Sequence, residues 1–172
     1  KAELNQVRGV EVEDLLGRDE VVLDTSGIES YIKNQVCLIT GGGGSIGSEI
    51  VRQLVKYGPR EIVVLDIYEN NAYDLQQDLK RHYPDLNLRV VIASIRDKER
   101  INQIFEEIKP SVVFHAAAHK HVPFMEENPS EAVKNNIFGT LNVAQCAHEH
   151  KAKRFILISS DKAVNPTNIM GA

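Results

Sequence analysis

The sequence predicts an α/β fold, a doubly wound parallel sheet with helices on both faces. Two observations lead to this fold class. Short apolar runs alternate along the chain with segments in which apolar residues recur at helical spacing. The runs are nearly continuous in apolar residues, as strands are when both faces of their sheet are covered, and strands that alternate with helices form parallel sheets. Ligands of such sheets bind beyond the carboxyl ends of the strands.

The composition excludes several classes of protein. The chain has 172 residues, 42% hydrophobic and 26% charged, which fits about one globular domain. No run approaches the ~20 apolar residues of a membrane span, and no signal peptide opens the chain. Cys37 and Cys146 lie in apolar segments and cannot form a disulfide framework, so we expect a reduced, cytoplasmic setting.

An acidic lead-in, residues 1–34, precedes the alternating pattern. It carries four basic and eight acidic residues, whereas the other 138 residues carry 16 of each. Neither part is basic, so no nucleic-acid partner is expected. We predict short helices near 13–16 and 28–33 in the lead-in and one α/β domain over 35–172. A helix that opens near Asn168 has no terminating signal, which indicates a domain truncated before its end.

Each element of the domain rests on a local signal. The first strand, at 36–40, is an apolar run that enters a turn of four glycines. Ile46, Ile50 and Leu54 then recur at helical spacing, and a glycine-proline pair at 58–59 stops this helix. By the same signals, later strands are predicted at 62–65, 86–93, 111–115 and 155–158, and later helices at 71–83 and 98–108.

A further helix is expected after a long loop that follows the fourth strand. Ser130 is placed to cap its first turn. The apolar face of this helix is predicted from residues at helical spacing, namely Ala132, Val133, Ile137, Leu141 and Ala144.

The strongest functional signal follows the first strand. Glycines at G-x-x-G-x-x-G spacing stand between a predicted strand and a predicted helix, where they permit a tight turn and the approach of a pyrophosphate to backbone N–H groups. The positive end of the helix also points there. A flexible turn is the alternative, but Asp66, 19 residues after Gly47, favours a Rossmann-like dinucleotide site. The predicted loop residues are Thr40, Gly41, Gly44, Ser45, Ile46 and Gly47.

Asp66 ends the second strand and predicts which dinucleotide binds. Its carboxylate would accept hydrogen bonds from the adenosine ribose hydroxyls and repel a 2′-phosphate, so NAD is expected rather than NADP. A strand-end carboxylate without a ligand is the alternative. A Walker A loop is excluded because Ser48 follows Gly47 where that motif requires lysine.

Small and basic residues follow the fourth strand. Ala116, Ala117 and Ala118 let the chain pass close under a cofactor, and Lys120 and His121 are placed to meet phosphate or sugar oxygens. A solvated lysine and a packing histidine are the alternative. A zinc site built from the three histidines at 115, 119 and 121 lacks a fourth ligand, and no cysteine lies near, so no metal is expected.

Four polar residues, at 159–162, end the fifth strand, where this architecture places its chemistry. With three other segments they make residues 36–172 resemble the extended short-chain dehydrogenases, and specifically the UDP-N-acetylhexosamine 4,6-dehydratases of capsular polysaccharide biosynthesis. The matching segments are Thr-Gly-Gly-Gly-Gly-Ser-Ile-Gly-Ser-Glu at 40–49, His-Ala-Ala-Ala-His-Lys-His-Val-Pro at 115–123, Asn-Asn-Ile-Phe-Gly-Thr at 135–140 and Ser-Asp-Lys-Ala-Val-Asn-Pro-Thr-Asn-Ile-Met-Gly-Ala at 160–172.

The resemblance implies an internal redox cycle on the sugar. Hydride leaves C4 to NAD, the C5 proton and the C6 hydroxyl are eliminated as water, and hydride returns to C6. Ser160 is implied as a hydrogen-bond donor to the C4 oxygen, Asp161 as general acid and Lys162 as the C5 base. An electrostatic role alone for Lys162 stays open. Asn165 is assigned to the substrate with Lys120 and His121.

The sequence departs from the family pattern at two places. Met170 stands where related enzymes have a catalytic tyrosine, and the lysine of that motif would fall at position 174, beyond the last residue. Ser94, before Ile95, replaces an aspartate that holds the adenine amino group, so weaker adenine binding is expected.

The resemblance also implies partners and alternatives. The lead-in is similar to the segment that joins a membrane-embedded region to the catalytic domain, so the parent protein is expected at the inner face of a bacterial membrane and as a homo-oligomer. A nucleotide-sugar epimerase is the second reading of the site. A non-catalytic NAD-binding module is the third.

Overall fold

Five parallel strands form one sheet in the order β3-β2-β1-β4-β5, which confirms the predicted doubly wound α/β fold. The computed structural model describes residues 25–172, so most of the lead-in, with the helix predicted at 13–16, lies outside the described residues. The strands are β1, Val36–Thr40; β2, Glu61–Asp66; β3, Leu88–Ile92; β4, Val112–His115; and β5, Arg154–Leu157.

Helices connect the strands. The longest of them, α3, has 14 residues, and none of the helices described at 25–172 is long and apolar enough to cross a membrane. They are α1, Thr25–Ile32; α2, Ser45–Val55; α3, Glu69–His82; α4, Lys98–Ile108; α5, Val122–Glu127; α6, Pro129–Ala132; a π-helix, Val133–Gly139; α7, Thr140–Glu149; and a 3₁₀-helix, Asp161–Ala163.

The central strand β1 is buried on both faces. Leu38 points to one side and packs in a cluster with Phe105 of α4 and Val143 of α7. Ile39 points to the other side and packs with Val51 of α2 and with α3. The alternation of side chains along a strand explains why an unbroken apolar run is required here.

Both cysteines are buried and free. Burial raises the pKa of the Cys37 thiol to about 12, which keeps it protonated and unreactive at neutral pH.

The prediction for the loop after the fourth strand and for the helix near residue 130 was wrong in three respects. The expected loop contains α5, and Ser130 is not a cap, because α6 begins at Pro129 and Asn128 occupies the capping position. The predicted apolar face is also largely exposed, with Ile137 54% and Leu141 46% accessible. The buried residues of this segment are Ala132, Gly139, Val143, Cys146 and Ala147.

Close packing explains the choice of face. The segment has two apolar stripes, and the one that packs inward carries the smaller residues. A Cβ on Gly139 would lie 2.6 Å from Cδ1 of Ile95. Asn142 adds a hydrogen bond from its side-chain amide to the Ile95 carbonyl oxygen, at 3.1 Å. The helix therefore approaches the loop after β3 more closely than larger side chains would permit.

Candidate active site

The glycine loop after β1 is folded too tightly for side chains. Gly41 has φ +66°, and a Cβ there would lie 2.6 Å from the carbonyl oxygen of Ala116. A Cβ on Gly47 would collide with the carbonyl oxygen of Gly41. Gly44 precedes the first residue of α2, and no side chain of the described residues caps that turn. The first N–H groups of α2 are therefore available to an anion.

Asp66 lies against this loop, at the end of the adjacent strand β2. Its Oδ2 accepts a hydrogen bond from the backbone N–H of Gly43 at 2.8 Å, and its Oδ1 accepts one from the N–H of Tyr68 at 2.9 Å. Each carboxylate oxygen retains a further lone pair. The structure thus brings the predicted ribose carboxylate to the predicted pyrophosphate loop.

A first cleft joins these groups to the loops after β3 and β4. Most predicted cofactor residues meet here, but Thr40 is buried beneath the cleft, and the lining includes neither Ser45 nor Gly47. Ser94 lines the cleft, and its Oγ accepts a hydrogen bond from the N–H of Arg96 at 3.2 Å. The predicted residues in the lining are Gly41, Gly44, Asp66, Ser94, Ile95, Ala116, Ala117 and Ala118.

A second cleft, of about 770 Å³, opens on the other side of residues 116–118. Its walls hold all four predicted catalytic residues together with Ile46 and Lys120. His121 and Asn165 line neither cleft: His121 packs edge-on against Phe124, with ring centroids 6.0 Å apart, and Asn165 is exposed. The catalytic residues in the lining are Ser160, Asp161, Lys162 and Met170.

An ion pair dominates the electrostatics of the second cleft. Lys162 Nζ lies 2.9 Å from Asp161 Oδ1, and the Lys162 N–H donates to Ser160 Oγ at 3.0 Å. The hydrogen bond and charge of Lys162 lower the pKa of Asp161. This arrangement favours the carboxylate, so an acid role for Asp161 requires a proton to move to it when substrate binds.

His115 lies buried beneath the same cleft. Its Nδ1 is 2.6 Å from Thr40 Oγ1, and its Nε2 is 2.9 Å from Thr140 Oγ1. Burial lowers the pKa of His115 to about 4, so the imidazole is neutral at neutral pH. Both ring nitrogens already have hydroxyl partners. No cluster of three or more His, Cys, Asp or Glu residues suited to a metal occurs within 25–172.

Two asparagines of the π-helix hold the wall between the clefts, and sequence reasoning assigned them no role. Asn136 accepts a hydrogen bond from the N–H of His119 and donates one to its carbonyl oxygen, both at 2.9 Å. Asn135 donates to the carbonyl oxygen of Ala117 at 3.1 Å. The sequence signal that could have indicated this role was a pair of polar residues within an apolar helical segment. The π-helix, a rare form that is frequent at functional sites, presents both to the wall.

The chain matches known proteins over most of its length. The family model described as polysaccharide biosynthesis protein matches residues 37–172. The capsular polysaccharide biosynthesis protein CapD of Staphylococcus aureus is 52% identical over 99% of this chain. The inverting UDP-N-acetylglucosamine 4,6-dehydratase of Campylobacter jejuni is 38% identical over 78% of it. The chain spans 28% and 39%, respectively, of the lengths of these two proteins.

A solved structure has the same fold. The UDP-glucose 4-epimerase of Stenotrophomonas maltophila, crystallised with NAD and formylated UDP-arabinopyranose, superposes with a TM-score of 0.68 at 26% identity. The match covers 75% of this chain and 38% of that one.

Gly47→Ala should abolish dinucleotide binding, because the added Cβ collides with the Gly41 carbonyl and opens the loop. Calorimetric titration with NAD checks this. Gly58→Ala is the control, since Gly58 has φ +61°, where any side chain is strained, but has no atom within 4 Å of an added Cβ. Both variants are expected to lose stability, but only Gly47→Ala should lose binding, and equal NAD affinity in the two would contradict the prediction.

His115 makes stability depend on pH. The unfolded chain binds a proton at this residue near the ordinary value of 6.5, whereas the folded protein binds it near 4. Unfolding is therefore favoured as pH falls from about 6.5 to about 4, with a loss of up to ~3 kcal/mol, and the stabilisation is complete above that window. Urea unfolding across this range measures the loss. NMR titration locates the His115 midpoint, and a midpoint at or above the ordinary value of 6.5 would contradict the prediction.

Proposed function

Because the chain belongs to the family of polysaccharide biosynthesis proteins, we propose that it forms the NAD-binding part of an enzyme that converts a UDP-N-acetylhexosamine to its 4-keto-6-deoxy form. One observation supports the proposal, namely that the two clefts share residues 116–118 as a wall. The glycine loop and Asp66 line the first cleft, and Ser160, Asp161 and Lys162 line the second. A dinucleotide that lies across the wall would place its reactive end beside these three side chains.

The residues present fit a dinucleotide. The glycine loop has no Cβ atoms to keep a pyrophosphate from the first turn of α2, and Asp66 lies where the adenosine ribose would follow. When bound, NAD would supply the hydride acceptor for C4 and the donor for C6. The nicotinamide cofactor and UDP-sugar of the Stenotrophomonas maltophila epimerase support the same use of this fold here.

The ion pair accounts for the proton balance of the elimination. Transfer of one proton over the 2.9 Å between Lys162 Nζ and Asp161 Oδ1 turns the ion pair into a neutral amine and a carboxylic acid. Exclusion of water by a bound sugar favours the neutral pair. Lys162 then takes the C5 proton, Asp161 gives its proton to the departing C6 hydroxyl, and the ion pair is restored as water forms.

Ser160 is suited to a different task. Its Oγ accepts a hydrogen bond from the Lys162 N–H, which leaves the hydroxyl proton free to donate to the C4 oxygen. Met170, which also lines the cleft, has no proton to transfer. The proton released from the C4 hydroxyl must therefore go to another group or to water.

An epimerase is the second candidate, favoured by the structural likeness to a UDP-glucose 4-epimerase. It would use the same C4 oxidation without loss of water. Mass analysis of the product separates the two, since a 4-keto-6-deoxy sugar has lost one water and an epimer has not.

NAD should bind more tightly than NADP, because the Asp66 carboxylate repels a 2′-phosphate. Asp66→Asn should bring the affinities for NAD and NADP closer together, since the amide can still hydrogen-bond but carries no charge. Titration of the unsubstituted protein and of Asp66→Asn with NAD and with NADP measures the four affinities. Tighter binding of NADP by the unsubstituted protein would overturn the assignment.

Asp161→Asn in the full-length protein should lower the rate of dehydration by ~10²–10⁴, the usual contribution of a general acid, with little change in NAD affinity. The assay is the formation of 4-keto-6-deoxy product. Asp85→Asn is the matched control, because Asp85 is exposed and lines neither cleft. Near-normal turnover by Asp161→Asn would remove the acid assignment.

A further inference from the structure

We infer that the Thr140 hydroxyl is a ligand-binding group of the second cleft, fixed as a hydrogen-bond donor to an oxygen of the bound ligand, and that His115 is the positioning residue that fixes it. The inference deepens the proposed function and rests on it for the identity of the ligand. The acceptor is either the carboxamide oxygen of the cofactor or an oxygen of the sugar, and both present the same chemistry to a hydroxyl.

The three residues form one chain of hydrogen bonds. Thr40 and His115 are partners in register at the ends of β1 and β4, and Thr140 begins α7. Thr40 is 0% and His115 2% accessible, while Thr140 is half-buried and lines the second cleft. The chain therefore runs from the interior of the sheet to the catalytic cleft.

The buried Thr40 hydroxyl determines which partner donates in each hydrogen bond of the series. Within residues 25–172 the Thr40 hydroxyl has one hydrogen-bond partner, Nδ1 of His115. If Nδ1 carried the proton, the Thr40 hydroxyl would accept that bond and keep a buried O–H without an acceptor, at a cost of ~1–3 kcal/mol. Thr40 must therefore donate to Nδ1, which is then the unprotonated nitrogen.

The imidazole then determines the donor in its hydrogen bond with Thr140. A neutral imidazole has one N–H, so an unprotonated Nδ1 places the proton on Nε2. Nε2–H then donates to Thr140 Oγ1 over 2.9 Å. The Thr140 oxygen accepts this bond, and its own proton is left to donate elsewhere.

The remaining acceptor must come from the cleft. Threonine in a helix commonly donates to a backbone carbonyl one turn earlier, but the described residues show no such bond for Thr140, whose hydroxyl is hydrogen-bonded only to His115 among them. Thr140 shares the cleft lining with Ser160, Asp161 and Lys162. A neutral hydroxyl with no base beyond the imidazole binds and orients an oxygen atom but does not take part in proton transfer.

The first test removes the hydroxyl without changing the shape of the side chain. Thr140→Val in the full-length protein should weaken binding of one ligand about 3- to 10-fold, the value of one neutral hydrogen bond, and Thr140→Ser should recover most of the loss. Titration with NAD and the KM for the UDP-sugar in saturating NAD are measured separately. A loss confined to NAD identifies the carboxamide oxygen, and a loss confined to KM identifies the sugar.

The second test measures the tautomer of His115, on which its positioning role depends. ¹⁵N NMR of the histidine ring at pH 7 should show His115 with Nε2 protonated and Nδ1 bare, and Thr40→Val should remove this fixed tautomer while Thr40→Ser restores it. An Nδ1-protonated ring in the unsubstituted protein would overturn the inference. So would unchanged affinity of Thr140→Val for both ligands. Absence of dehydrated product in the unsubstituted protein would instead count against the proposed function, and the NAD titration and the tautomer would still decide the role of Thr140.

Discussion

The pairing of β1 with β4 is the constraint on which both clefts depend. At this point of the sheet the strand order reverses, so the connections after the two strands lead to opposite faces and leave a crevice at the strand ends. The Ala116 N–H donates to the Thr40 carbonyl oxygen at 3.0 Å, which continues the pairing past the strand ends and brings Ala116 against Gly41. A side chain on Gly41 would separate the loops. The lack of a Cβ there is therefore a condition of the tertiary pairing as well as of the proposed phosphate binding.

The buried part of the candidate site is uncharged, and the ionised side chains lie at its surface. The interior beneath it holds a neutral imidazole between two hydroxyls, because burial disfavours the charged ring. The ionised pair, Asp161 and Lys162, lies at the exposed rim, where water stabilises both charges. Under the proposed function, a substrate that displaces this water would change the proton distribution of the rim and leave that of the interior unchanged. The groups proposed to react therefore lie above buried hydrogen bonds whose direction does not change.

Local patterns were sufficient where a structure depends on neighbours in sequence. The run at 36–40, the glycines after it and the helical spacing of Ile46, Ile50 and Leu54 describe one strand-turn-helix unit, and the structure has that unit at the predicted place. The helix after residue 130 was misjudged because it has two apolar stripes. Only the close approach of Ile95, more than 40 residues away, selects the stripe that contains Gly139. The exposure of Ile137 and Leu141 follows from that selection.

The sequence by itself determined the alternation of the five strands with the main helices, the glycine loop and the carboxylate at the end of β2, since each depends on backbone geometry or on periodicity within a few turns. The tertiary structure decided which of the polar residues meet. Thr40 and His115 are 75 residues apart and His115 and Thr140 are 25 apart, so no spacing rule relates them. The pairing of β1 with β4 brings Thr40 to His115, and α7 brings Thr140 to the same ring. The burial of the Thr40 hydroxyl fixes the hydrogen-bond direction. That direction depends on burial, which is a property of the assembled core.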